Sequence, residues 1–453
     1  MTQFPTNFFW GSATSSYQVE GAAFEDGRGL SIWDMMCRKP GKVYEGQHAD
    51  VTCDHYHRFR EDVAMMKQVG LQAYRFSIAW PRVLPEGTGR VNPAGLDFYD
   101  QLVDELLAAG ITPWATLYHW DLPLELYYRG GWLNPQSPEW FAEYADLVGR
   151  RLGDRVKHWM TLNEPACAIN LGMQIGMHAP GDQLAYAQVI RGAFHLMKAH
   201  GRSVQALRAA VPEAQIGLAN VGGSFFPAST SPQDVEAARQ MTFEAPDDGL
   251  WSTTFWLEPM LQGRFPQDWL EKHASSLAGL DQADLQVMHQ PLDFLGINIY
   301  NSILVRAGEN GPEKVPFGPG CPRTLMDWPV TPESLYWYPK FIWERYQLPL
   351  VITENGVSTP DWISMDGKVH DPQRIDFTRR YLIQLRRAVR EGVDVRGYFH
   401  WTWMDNFEWA EGYRQRFGLV YVDFQTLQRI PKDSARWYAK VIASHGGQLD
   451  RRD

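Results

Sequence analysis

Strand-like and helix-like segments alternate along all 453 residues, eight strand-like segments can be counted, and several of them end on polar side chains. Together these observations predict an α/β chain folded as a single (β/α)8 TIM barrel, with long βα loops over the face where those polar ends gather. No low-complexity linker separates two halves, so residues 1–453 are expected to form one catalytic barrel domain.

The first strand is expected over residues 8–16, leading into Tyr17 and Gln18. A helix over 59–68 follows, because Phe59, Val63 and Met66 recur at helical spacing and Gly70 can end it. The second strand, 74–80, is closed by Pro81. Asn92 and Pro93 start the clearest helix, whose inward face is Leu96, Tyr99, Val103 and Leu106 and whose end is Gly110. The third strand is read over 112–120. Ser137 and Pro138 open a helix with Phe141, Tyr144 and Val148 inward, after which a fourth strand, beginning near Trp159, carries out Glu164 and is halted by Pro165. Residues 215–223, 293–300, 350–356 and 395–403 supply strands five to eight. The intervals after strands one, five and six are long, and the Pro/Gly-rich run 308–322 reads as an insertion within a loop.

Composition narrows the function. The chain is 44% hydrophobic and 21% charged, as expected of a globular protein with a large core. Its 19 tryptophans are more than a core alone requires, so part of them should line a cleft, where flat ring faces suit sugars. A net charge of −10 disfavours nucleic acid and anionic membranes as partners. The four cysteines (Cys37, Cys53, Cys167, Cys321) show no paired spacing, which argues for free thiols and against a zinc cluster or disulfide framework. His55 and His57 beside Asp54 hint at metal ligation, but no carboxylate-histidine set of ligand spacing accompanies them, so neither metal nor cofactor is expected. Residues 1–5 lack the regions of an export signal, and no run of about 18 apolar residues occurs; the cytoplasm is the expected compartment.

Parallel strands in a barrel bring their C-terminal ends to one place. The residues collected there are Gln18, Arg75, His119, Asn163, Glu164, Asn298, Tyr300, Glu354, Trp401 and Glu408. Glu164 and Glu354 are the pair on clean strand ends, and two carboxyl groups among amides, a histidine and tryptophans suit cleavage of a glycosidic bond. Either glutamate alone would equally suit a helix cap or an ion pair. Arg75 alone reads as an ordinary ion-pair partner, and His119 alone as a core histidine.

At this point six stretches resemble one family, the retaining β-glucosidases of glycoside hydrolase family 1. They are Cys53-Asp-His-Tyr-His57, Tyr74-Arg-Phe-Ser-Ile78, Tyr118-His-Trp-Asp-Leu-Pro123, Thr161-Leu-Asn-Glu-Pro165, Ile352-Thr-Glu-Asn-Gly356 and Met404-Asp-Asn-Phe-Glu-Trp409. The resemblance implies that Glu164 is the acid/base and Glu354 the nucleophile, supported by Arg75, Asn298 and Tyr300. It implies that Gln18, His119, Asn163, Glu408 and Trp409 bond the sugar hydroxyls and that Trp401 is the stacking platform. The implied substrate is a small β-glycoside, with β-glucose, β-fucose and β-galactose left open.

Two departures bear on specificity. Ala166 stands where the family commonly has Trp, so a wall of the leaving-group subsite is missing; Trp328 could supply it or could simply anchor its loop. Trp403, where smaller residues are usual, reads as packing. Glu408, Gln415 and Phe417, the last counted with the substrate pocket, stand where the 6-phospho-β-glycosidases place serine, lysine and tyrosine, and none of the three could neutralise a phosphate. A silent sugar-binding barrel would be expected to lose a carboxylate, and both are present. Oligomeric state is not legible.

Overall fold

A computed structural model describes residues 3–245, 249–273 and 281–450. Eight parallel strands close into a barrel: β1 (Phe9–Ala13), β2 (Ala73–Ser77), β3 (Thr112–Tyr118), β4 (His158–Asn163), β5 (Gln215–Asn220), β6 (Leu295–Asn298), β7 (Leu350–Asn355) and β8 (Val395–Trp401). Their order around the barrel follows the sequence, with β1 pairing β8 to close it.

One helix after each strand builds the outer layer: α1 (His55–Val69), α2 (Pro93–Ala108), α3 (Ser137–Leu152), α4 (Tyr186–Ala210), α5 (Thr253–Gln262), α6 (Ser334–Tyr346), α7 (Pro372–Arg390) and α8 (Asp433–Ala443). In α2 the expected inward residues Leu96, Tyr99, Val103 and Leu106 are all buried. Asn92 does occupy the position before that helix, but its side chain caps nothing there. Its Nδ2 donates to the carbonyls of Asp26 (2.8 Å) and Arg82 (2.9 Å), tying two loops together instead.

Strands buried on both faces need two apolar sets. In β2, Tyr74 and Phe76 join the core between sheet and helices, whereas Ala73 points into the barrel. The lumen is filled by Trp114, Met160, Phe294, Val351 and Phe399 above and between alanines. Trp114 stacks on His158 at 4.1 Å and meets Phe399 edge-on at 5.2 Å, so the lower barrel is a plug and the open space lies at the other end.

Most strands end before the sequence expects. Residues 78–80 leave β2, and Trp80–Val83 forms a helical turn with Pro81 in its first turn, where a missing N–H costs nothing. Helix α1 starts four residues ahead of the expected 59. The supposed irregular insertion is partly ordered: Ile303–Gly308 and Gly311–Lys314 form an antiparallel hairpin, and Phe225–Pro227 pairs with its first strand. Alternation there is weak because both strands are largely exposed, so no inward face marks them. Among the described residues, no helix is long and apolar enough to cross a membrane.

Candidate active site

The register irregularities of the barrel fall in the pairings of β4 and β7, the strands that lead to the two glutamates. Those next to the glutamates lie between Met160 and Asn163, between Ile352 and Glu354 and between Ile352 and Asn355; one more lies at the start of β7, between Leu350 and Val351. Bulges of this kind re-aim the side chains beyond them. Glu164 follows β4 with φ of 44°, a left-handed backbone that costs a non-glycine residue energy; Trp120 (76°) and Trp409 (49°) share it. All three lie at this end of the barrel. Gly356, after Glu354 and Asn355, is required for a different reason: a Cβ there would fall 1.8 Å from the Trp401 carbonyl oxygen. The glycine that reads as a turn residue is therefore a close approach of β7 to β8.

Both glutamates are buried, Glu164 at 7% exposure and Glu354 at 3%. Glu354 accepts from Arg75 Nη1 at 2.6 Å on one oxygen and from the Tyr300 hydroxyl at 2.6 Å on the other. Glu164 accepts from Asn298 Nδ2 at 2.7 Å on Oε1 and from the Cys167 thiol at 3.1 Å on Oε2. Thr353 Oγ1 donates to Asn298 Oδ1 at 2.6 Å, which fixes that amide with its nitrogen toward Glu164. Asn163 joins the two halves, its Oδ1 accepting from Arg75 Nη2 (2.5 Å) and from Asn298 Nδ2 (3.0 Å).

With its oxygen so committed, Asn163 must donate Nδ2 to His119 Nε2, 3.0 Å away. The proton of His119 then sits on Nδ1, a buried atom with no protein partner. Burial, then the charge of Arg75, holds His119 well below its ordinary pKa, so the ring is neutral and Nδ1–H is a donor left without a protein partner. Gln18 Nε2 reaches the Phe407 carbonyl (2.8 Å), Asn406 Oδ1 (3.2 Å) and Glu408 Oε2 (3.3 Å). Rings flank this polar floor: His119 lies 5.8 Å from both Trp401 and Trp409, nearly parallel to each. At the rim Trp328 packs 5.2 Å from Tyr300 and 6.2 Å from Phe417. Every expected site residue thus lies in one connected region.

Electrostatics divides the labour between the carboxyls. Burial, then the charge of Glu354, pushes Glu164 up to about 7. Repulsion by Glu354 ranks below burial. Burial also raises Glu354, but here the next influences are Arg75, Tyr300 and Asn298, all pulling back. Of the pair, Glu354 therefore takes the charge and Glu164 the proton. Glu408 is half-buried by solvent access yet lies deep enough that burial, then Glu354, raises it to about 8.

One consequence is testable at Tyr300. Tyr300→Phe removes a donor that lowers the pKa of Glu354, so the acidic limb of the kcat/KM profile should move to higher pH and activity at the optimum should fall about tenfold. An unmoved limb in steady-state profiles would contradict the contact's role.

Reading the sequence missed Cys167, Thr353, Trp120 and Asn406. Trp120 donates Nε1 to the Asn163 carbonyl at 2.9 Å and packs 4.7 Å from Trp409. Its place inside Tyr118-His-Trp-Asp121 was the available signal, as was the three-residue step from Glu164 to Cys167. The histidines near position 55 are hydrogen-bonded to carboxyl groups: His55 Nδ1 with Asp62 at 2.7 Å, and His57 with Asp54 at 2.6 Å and Glu25 at 3.1 Å.

Residues 1–447 match the sequence model described as Glycosyl hydrolase family 1. The chain is 44% identical to Beta-glucosidase A of Thermotoga maritima over 98% of both chains. It is 45% identical to the 1,4-beta-D-glucan glucohydrolase of Thermotoga neapolitana, over 98% of this chain and 99% of that one. A solved structure of Thermotoga maritima beta-glucosidase in complex with glucoimidazole superposes with a TM-score of 0.90 at 43% identity, covering 98% of this chain and 100% of that chain.

Proposed function

Since the chain belongs to glycosyl hydrolase family 1, we propose that it is a β-glucosidase that removes terminal non-reducing β-D-glucosyl units by a two-step retaining mechanism. The observation that carries this is the paired environment of the carboxyls, one bound to Arg75 and the other pushed to about 7. In the first step Glu354 attacks the anomeric carbon while Glu164 protonates the departing oxygen. A retaining enzyme places these groups about 5–5.5 Å apart, which leaves no room for a water between them. Once Glu354 is glycosylated its charge is gone, the pKa of Glu164 falls, and Glu164 takes a proton from the incoming water.

Gln18, His119, Asn163, Glu408 and Trp409 bind the hydroxyls, with Trp401 as the stacking platform. Gln18 and Glu408 can bond either epimer at C4, so β-D-fucosyl and β-D-galactosyl units are the further substrates. Ala166 is fully buried and supplies no wall on the leaving-group side, and Trp328, held against Tyr300, is the proposed wall there. Short cello-oligosaccharides are among the proposed substrates, which suits a role in cellulose breakdown, and one catalytic barrel domain in the cytoplasm is the proposed setting. A 6-phosphoglycoside is disfavoured: Gln415 is already bonded to Ser358 and Glu411, and neither it nor Glu408 nor Phe417 brings a positive charge that would neutralise a phosphate.

The test is the stereochemistry of the first product. Proton NMR during hydrolysis of an aryl β-glucoside should show β-glucose before mutarotation; α-glucose appearing first would overturn the mechanism.

A further inference from the structure

Glu164 is tied to the residue three positions on by two separate contacts. The Cys167 backbone N–H donates to the Glu164 carbonyl at 2.9 Å, and its thiol reaches Glu164 Oε2 at 3.1 Å. Pro165 between them has no N–H to offer. Cys167 opens the π-helical segment Cys167–Ile175, so the thiol is held by backbone geometry and not by chance rotation on a surface. It is buried, at 6% exposure.

The two oxygens of Glu164 have different partners. Oε1 faces the Asn298 amide nitrogen, fixed in that orientation by Thr353; a nitrogen of this kind donates only, so it cannot accept a carboxylic proton. Oε2 faces a thiol, which donates weakly and also accepts weakly. The carboxylic proton therefore belongs on Oε2, where the thiol can receive it as O–H···S in the acid form and return an S–H···O bond in the carboxylate form. An amide or ammonium in that place would favour the carboxylate alone.

We propose that Cys167 is a positioning residue for the proposed acid/base: it fixes the rotamer of Glu164, keeps the transferable proton on Oε2, and thereby adjusts the upper pH limit of hydrolysis. The inference rests on the reading of Glu164 as acid/base. The other titratable or charged groups around Glu164 are Glu354 and Arg75 across the barrel, with Tyr300 and Glu408 beyond them. None of these changes when Cys167 is replaced, so a shift of the limb reports the thiol.

The direction follows from donor strength. A hydroxyl donates to a carboxylate more strongly than a thiol does, and a methyl does not donate at all. In kcat/KM profiles with phenyl β-glucoside, whose poor leaving group demands the acid, the basic limb should lie lowest for Cys167→Ser, higher for the unsubstituted enzyme, and highest for Cys167→Ala. Neighbouring limbs should be separated by roughly half a pH unit. Coincident limbs, a reversed order, or an equal loss of activity at every pH would overturn the proposal. Should the alanine variant fail to fold, the near-isosteric serine variant decides alone. A dependence on leaving group in Glu164→Ala, with coincident limbs in the cysteine series, removes the thiol's role only; no such dependence removes the acid/base assignment itself.

Discussion

Glu354→Gly should abolish hydrolysis of an aryl β-glucoside, by on the order of 10⁴-fold or more, because no other group can take over the attack on the anomeric carbon. The substitution leaves a buried anion site behind. Arg75, which contacts Glu354 at 2.6 Å, and Tyr300, which donates to it at 2.6 Å, both remain and lose their partner. Azide or formate is small enough to occupy that space, and its charge is matched by Arg75. With an activated substrate such as dinitrophenyl β-glucoside, the added anion should restore turnover and return the α-configured product, since one displacement now replaces two. Assay with and without the anion, with product configuration by NMR, checks this. Absence of rescue would mean that the nucleophile is another group.

Glu164→Ala should produce a loss that depends on the leaving group. A proton donor contributes about 10²–10⁴-fold where the departing oxygen is a poor leaving group and little where it departs as a stable phenolate. Phenyl β-glucoside and cellobiose should therefore suffer near the top of that range, and dinitrophenyl β-glucoside far less in the first step. Because the proposed mechanism also makes Glu164 the base for water, the second step should become limiting with activated substrates. Steady-state kinetics over a series of aryl glucosides gives the slope, and equal losses across the series would count against the acid role. The same assignment places the basic limb of the unsubstituted enzyme near the pKa of Glu164, about 7: the acid form, present below that value, is lost as pH rises through it.

How far these roles were legible differs between barrel and site. Strand cores were readable because a strand buried on both faces must be apolar throughout, as in Leu350–Asn355 up to Thr353. Strand ends were not, because the apolar residues 78–80 continue past β2 into a helical turn that buries Trp80 just as well. The hairpin at Ile303–Gly308 escaped notice for the opposite reason, having no buried face to impose a period of two. In the site, polar residues on strand ends were conspicuous against their apolar surroundings, and so Arg75, Asn163, Asn298 and the two glutamates could be collected before any coordinate was known. Their pairing could not. That Arg75 bridges Glu354 and Asn163 depends on the curvature of the barrel, and that burial outranks repulsion at Glu164 depends on how completely the loops cover it. Cys167 was read as an inert thiol because its spacing matched no metal or disulfide pattern. Its relevance comes from the three-residue step that brings its thiol back to Glu164, a spacing that names no chemistry by itself.

The central claim is that Glu354 carries the sugar between the two steps. A 2-deoxy-2-fluoro-β-glucoside with a good leaving group slows both steps, and the second more, so the intermediate should accumulate. Intact-protein mass spectrometry should then show the addition of one fluoroglucosyl unit, and peptide mapping should place it on Glu354. A label on Glu164 or Glu408, or inactivation without any covalent label, would contradict the account.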